Sequence, residues 1–165
     1  MIVVADASPL NYLIQIESET LLQKLFGRVL VPGAVMEELR HAAAPTAVGL
    51  WAGRVPSWIE IRTVAVQRDQ ALDLLDPGER EAILLAQEAC ADLLLIDEKQ
   101  GRAEAKRRGL ATTGTLGVLL AGGARNLVDA EAAFLRLIST TSFRSAPEMR
   151  EDFLVRCKEF RTGRK

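Results

Sequence analysis

Ile2-Val3-Val4-Ala5-Asp6-Ala7-Ser8-Pro9 is the stretch on which the fold turns. Four apolar residues run without alternation and stop at a carboxylate, as in a short strand buried on both faces that ends in a loop. Ser8-Pro9 supplies an N-cap residue with Pro at the first helical position. Leu10, Leu13, Ile14 and Ile16 predict the helix that follows. Leu93-Leu94-Leu95-Ile96 repeats the pattern and also ends on a carboxylate, Asp97.

Between and beyond these two runs the chain alternates strands with helices. A helix is predicted from about Ser18, with Leu21, Leu22, Leu25 and Phe26 on one face and Gly27 as its stop. Val29-Leu30-Val31 reads as a strand halted by Pro32, and Gly33 to Ala43 as a helix turning Val35, Met36 and Leu39 inward. A shorter helix is expected over Thr46–Ala52, a half-exposed strand over Trp58–Val64 and another helix over 67–75. Asp76-Pro77-Gly78 punctuates before a helix from Glu79 to Ala91. A charged helix over about 98–108, closed by Gly109, follows the Asp97 strand, and Leu110-Ala111-Thr112 makes a brief further strand. Helices over Thr115–Ala121, broken by Gly122-Gly123, then 129–138 and 148–160 complete the chain, with Arg161–Lys165 as a frayed basic tail. Strands separated by helices predict βαβ units and a mainly parallel sheet covered on both sides. Ligands of such sheets bind beyond the carboxyl ends of the strands, where strand order reverses.

Composition narrows the function classes. Lys plus Arg number 21 against 22 Asp plus Glu, which excludes nucleic-acid binding by bulk positive charge and requires a local basic face instead. Aromatics are 5% of the 165 residues, too few for a stacking platform spanning many bases. One histidine, His41, and two cysteines, Cys90 and Cys157, cannot build a Cys/His zinc site. His41 reads as a surface residue and Cys90 as a packed thiol. No apolar run approaches the ~18–20 residues of a membrane helix. Two cysteines that fit free thiols, with a single disulfide as the alternative, and a start without a basic leader make the cytoplasm the expected compartment.

Four acidic points stand out. Asp6 with Ser8 follows the first strand, and helix capping is the alternative role of either side chain. Glu38, in Val35-Met36-Glu37-Glu38-Leu39, lies near the inward face, whereas Glu37 points to solvent. Glu79 and Glu81 open a helix, where carboxylates complement the macrodipole by about 0.3–1 kcal/mol for purely structural reasons. Asp97-Glu98 follows a buried strand, and an N-cap role would account for Asp97 alone. One parallel sheet could gather these points. A hard divalent cation takes oxygen ligands, and several carboxylates around one suit phosphodiester hydrolysis. The segment from Lys99 to Arg108 sets five cations against Glu104, a possible phosphate-backbone track beside the acids. Dinucleotide-binding, Walker-type and nucleophile-elbow signatures are missing. An Asp-nucleophile phosphatase would want a second Asp where Ser8 stands.

The order Val3-Val4-Ala5-Asp6-Ala7-Ser8-Pro9-Leu10, Val35-Met36-Glu37-Glu38-Leu39, Pro77-Gly78-Glu79-Arg80-Glu81-Ala82-Ile83 and Leu95-Ile96-Asp97-Glu98-Lys99 resembles the PIN domain. More closely it is similar to a prokaryotic PIN-like branch related to the VapC-type toxins of toxin–antitoxin pairs, as is Gly114-Thr115-Leu116-Gly117. The resemblance covers roughly residues 2–145. It implies a PIN-like domain over 1–145, with a C-terminal helix and basic tail over 146–165 packed on it or extending from it. It implies a three-layer α/β/α sandwich and an Mg²⁺- or Mn²⁺-dependent endoribonuclease that leaves a 5′-phosphate and a 3′-hydroxyl. By position Asp6, Glu38, Glu81 and Asp97 match the four catalytic, metal-binding acids. Ser8 matches the small hydroxyl after the first acid, and Glu79 belongs to the branch's Gly-Glu-x-Glu pattern, with helix capping as its other role. Typical toxins follow the fourth acid with a basic residue, a second Asp and an aromatic. Here Glu98-Lys99-Gln100 stands instead, with Glu98 as the substitute metal ligand. Ser8, Lys99, Arg102, Lys106 and Arg107 are the expected substrate contacts. A homodimer and a small antitoxin that blocks the site are further implications. The competing expectation is a PIN-like module that binds RNA or a protein partner without cutting.

Overall fold

The computed structural model describes residues 1–65 and 67–163. Its elements run β1 (Val3–Ala5), α1 (Ala7–Gln15), α2 (Thr20–Phe26), β2 (Val29–Pro32), α3 (Gly33–Arg40), α4 (Thr46–Gly53) and β3 (Ile59–Arg62). They continue α5 (Pro77–Glu88), β4 (Leu93–Leu95), α6 (Lys99–Arg107), β5 (Thr112–Thr113), α7 (Thr115–Ala124), α8 (Ala130–Thr140) and α9 (Pro147–Thr162). The five strands form one all-parallel sheet in the order β3-β2-β1-β4-β5. Val4 sits between Leu30 of β2 and Leu94 of β4.

Side chains of successive strand residues alternate between faces, and each face has its own core. Val3, Ala5, Val29, Val31 and Leu95 pack beneath α1–α4 and α7–α9. Val4, Leu94 and Ile96 pack with Ile83 and Ala86 of α5 and Ala105 of α6. Helices on both faces of a parallel sheet make the expected three-layer α/β/α sandwich, and two-sided burial is why β1 and β4 are uniformly apolar. β3, on the outer edge, keeps Ile61 45% exposed and carries the Glu60 ion pairs with Arg28 and Arg62. Such charges blunt an edge against unwanted pairing.

Five expectations fail for identifiable reasons. α1 starts at Ala7 with Asp6, not Ser8, at its N-cap position. Cys90 is exposed, not packed, because it takes a left-handed φ of 48° just past the end of α5. Residues 67–75 form turns, not a helix. The Asp69 carboxylate accepts the Ala71 amide at 3.1 Å and Arg108 Nη2 at 2.6 Å, a local alternative to helical hydrogen bonding. Gly122-Gly123 does not break α7. A Cβ at 123 would stand 2.8 Å from that of Ala130, and one at 122 would stand 3.1 Å from Leu21. The pair therefore lets α2 and α8 approach, and α7 stops later at Asn126, whose φ of 59° is left-handed. The tail read as frayed from Arg161 continues α9 to Thr162, and Arg161 pairs with Glu131 at 2.9 Å. Arg164 and Lys165 lie outside the described residues. α9 is anchored by Cys157 and by Phe153 stacked at 4.8 Å on Phe134.

Candidate active site

Strand order reverses between β1 and β4, and both strands lead to an acid there. Asp6 extends the ladder by donating its amide to Leu95 O at 2.9 Å. It then takes the N-cap position of α1, yet its side chain makes no capping hydrogen bond. Only 2% of Asp6 is exposed, and its Oδ1 is buried without a hydrogen-bond partner among the described residues. Burial pushes its pKa from 3.8 up to about 7, the Ala7 amide pulls the other way, and Glu79, Glu38 and Asp97 add repulsion. A buried charge without a partner is costly, so this carboxylate holds a proton unless a cation replaces it.

Asp97 is fixed from across the sheet. Its Oδ1 accepts the Thr115 amide and its Oδ2 the Thr115 hydroxyl, each at 2.7 Å. Asp97 thus caps α7, while Glu98 occupies the N-cap position of α6 without a side-chain bond. This corrects the expectation that Asp97 caps the helix directly after it. Burial raises the Asp97 pKa despite both Thr115 bonds and the nearby Arg102. Gly114 is required beside it, because any Cβ there would run into Asp97 Oδ1. Thr115→Val strands Oδ2 of a half-buried carboxylate, which costs about 1.5–3 kcal/mol. Urea unfolding of the metal-free protein should show that loss, and Thr115→Ser should restore most of it.

Glu38 and Asp6 meet across Gly78. The Cβ position of residue 78 lies 3.1 Å from Glu38 Oε2 and 3.4 Å from Asp6 Oδ1, so glycine leaves room for both carboxylates. Glu38 stands on the exposed rim, and burial of its carboxylate, then Asp76, raises its pKa. Glu79, 7% exposed, completes a capping box on α5 by accepting the Asp76 amide at 3.3 Å. Burial, opposed by that hydrogen bond and reinforced by Asp76, Glu98 and Glu38, raises its pKa as well. Glu81 points elsewhere. Its Oε2 accepts the Ala34 amide at 2.9 Å, capping α3, and it borders a separate cleft with Val64, Pro77 and Leu84. The acids gathered around Asp6 are therefore Glu38, Glu79 and Asp97, with Glu98 electrostatically linked to Glu79 and Asp97. A signal for Glu79 lay in the sequence. It stands three, four and seven residues before Ala82, Ile83 and Ala86, each fully buried, and so shares their face.

The basic helix divides. Arg102 and Lys106, one turn apart on α6, line a groove of about 440 Å³ that begins at Asp97 and Glu98. Arg144, from the segment before α9, lines the same groove, with no sequence signal to single it out. Arg107 lies on another side, paired with Glu104 at 2.6 and 2.9 Å. Lys99 is exposed at the first turn of α6. Ser8 is half-buried and borders a second groove with Glu38.

Among the described residues no three His, Cys, Asp or Glu side chains converge as a ready-made ion site. The donor set nonetheless fits a hard divalent cation: the atoms on offer are carboxylate oxygens, and the buried Asp6 Oδ1 lacks a partner among the described residues. Fold and acids together define a class, a parallel α/β/α protein with a carboxylate cluster at its topological switch point. A family model described as a PIN domain matches residues 2–159, and the chain belongs to that family. PIN domains are generally nucleases, hydrolases that use divalent metal ions. A search of the curated proteins and of the solved structures finds no match to the chain. No helix of the described residues is long and apolar enough to cross a membrane.

Proposed function

We propose that this protein is a metal-dependent endoribonuclease in which Asp6, Glu38, Glu79 and Asp97 hold Mg²⁺ or Mn²⁺, with Glu98 beside them. The observation that carries this reading is the buried Asp6 carboxylate, one oxygen without a partner among the described residues, ringed by three further acids. A bound divalent cation would supply an attacking water of lowered pKa and neutralise charge on the phosphate. Thr115 holds Asp97 in a single orientation, and Arg102 and Lys106 attract the phosphate backbone toward the acids. Glu79 replaces Glu81 as the third acid, because Glu81 is committed to the α3 amide.

The resemblance to VapC-type toxins extends the proposal to a toxin–antitoxin pair, with a small antitoxin covering the acids and a homodimer as the assembly. Glu98-Lys99-Gln100, in place of the usual acid and aromatic, favours the second reading of a module that binds RNA without cutting. One assay separates them. Purified protein is incubated with a mixed RNA pool in Mg²⁺, Mn²⁺ or EDTA, beside Asp97→Asn, Glu79→Gln and Glu81→Ala. We expect metal-dependent cutting that falls more than about 100-fold in Asp97→Asn and Glu79→Gln, since even outer partners of a metal site cost 10–100-fold. Glu81→Ala should keep cutting within about threefold while losing about 1 kcal/mol of stability with its helix cap. No cutting by folded, metal-loaded protein would support the binding module.

A further inference from the structure

α1 forms a ridge between two grooves, and both begin at the acids. Consecutive residues open to different sides: Asn11 lines one groove and Tyr12 the other, as the ~100° step of a helix allows. The Tyr12 groove carries Arg102, Lys106 and Arg144. The Asn11 groove, about 270 Å³, is lined by Ser8, Asn11, Glu38, Leu39, Pro45 and Val48 among others. Among the described residues no Lys or Arg lines it.

This asymmetry has a chemical consequence. A phosphate run along the Asn11 groove, beyond a cation held at Glu38, would meet no basic side chain among the described residues, whereas the Tyr12 groove offers three. A neutral, planar group suits the Asn11 groove: apolar walls from Leu39, Pro45 and Val48, with an amide and a hydroxyl at i and i+3 on one helix face.

Resting on the nuclease reading above, we infer that the Asn11 groove is a nucleobase pocket. It holds a base of the RNA next to the cut while the backbone runs along the Arg102, Lys106 and Arg144 side. Asn11 is its reading residue, since an amide presents a donor and an acceptor together to a base edge. Ser8 adds a second polar contact, and His41 stands at the rim. The substrate class is therefore single-stranded RNA with one base splayed from its neighbours.

The test is cut-site sequencing on a random single-stranded RNA pool with Mg²⁺ or Mn²⁺, using wild type, Asn11→Ala and Asn11→Asp. Thermal melts confirm that each variant is folded. Wild type should enrich one base at a fixed position beside the cut. Asn11→Ala should reduce that enrichment by roughly tenfold, the size of one lost bidentate base contact. Asn11→Asp, which only accepts hydrogen bonds when ionised, should shift the preference toward bases that present donors there. Cutting with the same enrichment in all three proteins, or with none in wild type, overturns the pocket and leaves the nuclease reading standing. It would place something other than a base, such as a protein segment, in the groove. Failure of wild type to cut overturns the nuclease reading and the pocket with it.

Discussion

Asp6→Asn should abolish metal-dependent cutting and, at pH 8 without metal, make the protein more stable. The two effects share one cause. Asp6 is 2% exposed, and three other carboxylates add to the cost of its charge. Asparagine is nearly isosteric and neutral, so it removes both desolvation and repulsion from the centre of the sheet. The charged form costs about 4 kcal/mol above pH 7, judged from the rise of its pKa from 3.8 to about 7. The buried amide needs partners of its own, so we expect a net gain of about 2 kcal/mol. Cutting should fall well over about 100-fold, because a direct ligand contributes more than an outer one. Urea denaturation in EDTA and cleavage in Mn²⁺ test the two halves separately. A less stable Asp6→Asn at pH 8 would mean that Asp6 has a compensating partner and is no cation ligand.

Most of the scaffold could be read in advance because it rests on local patterns. Uninterrupted apolar runs ending at Asp6 and Asp97 mark the two central strands. Gly27 and Gly109, both at φ 78°, end α2 and α6 as their positions foretell. What escaped was set by distant partners. Asp97 caps α7 through Thr115, 18 residues away, where local spacing points to α6. The different surroundings of Glu79 and Glu81 follow from helical phase and from an amide in α3, and dipole logic treats both glutamates alike. Arg144 enters the cationic groove only because the segment before α9 folds back beside α6. Residues 67–75 carry a helical pattern, but Asp69 and Arg108 fix a turn instead.

The metal-free protein should lose stability as pH rises from about 4 to about 8, and Mg²⁺ or Mn²⁺ should restore it. In the folded chain Asp6 keeps its proton to about pH 7, but in the unfolded chain only to 3.8. Across that window the native state binds more protons, so stability falls with rising pH. The contribution is complete below 3.8 and gone above about 7. Glu38, Glu79 and Asp97 are raised too, so their contributions have the same sign. Below this window the sign reverses. Arg107 and Arg108 hold Glu104 down at about 2, so its stabilisation is complete above 4.5 and drains as pH falls toward 2. Stability in EDTA should therefore peak near pH 4–5. A divalent cation competes with those same protons and binds best above pH 7, where 100 times its Kd adds about 2.7 kcal/mol. Urea melts from pH 4 to 8, with EDTA or Mn²⁺, measure both curves. Stability in EDTA that is flat or rising from pH 5 to 8 would show that burial and mutual repulsion do not hold these acids above their ordinary range. Parallel curves with and without Mn²⁺ would remove them as its ligands. Diverging curves whose separation disappears in Asp6→Asn would tie the cation to the carboxylate whose burial creates the pH dependence.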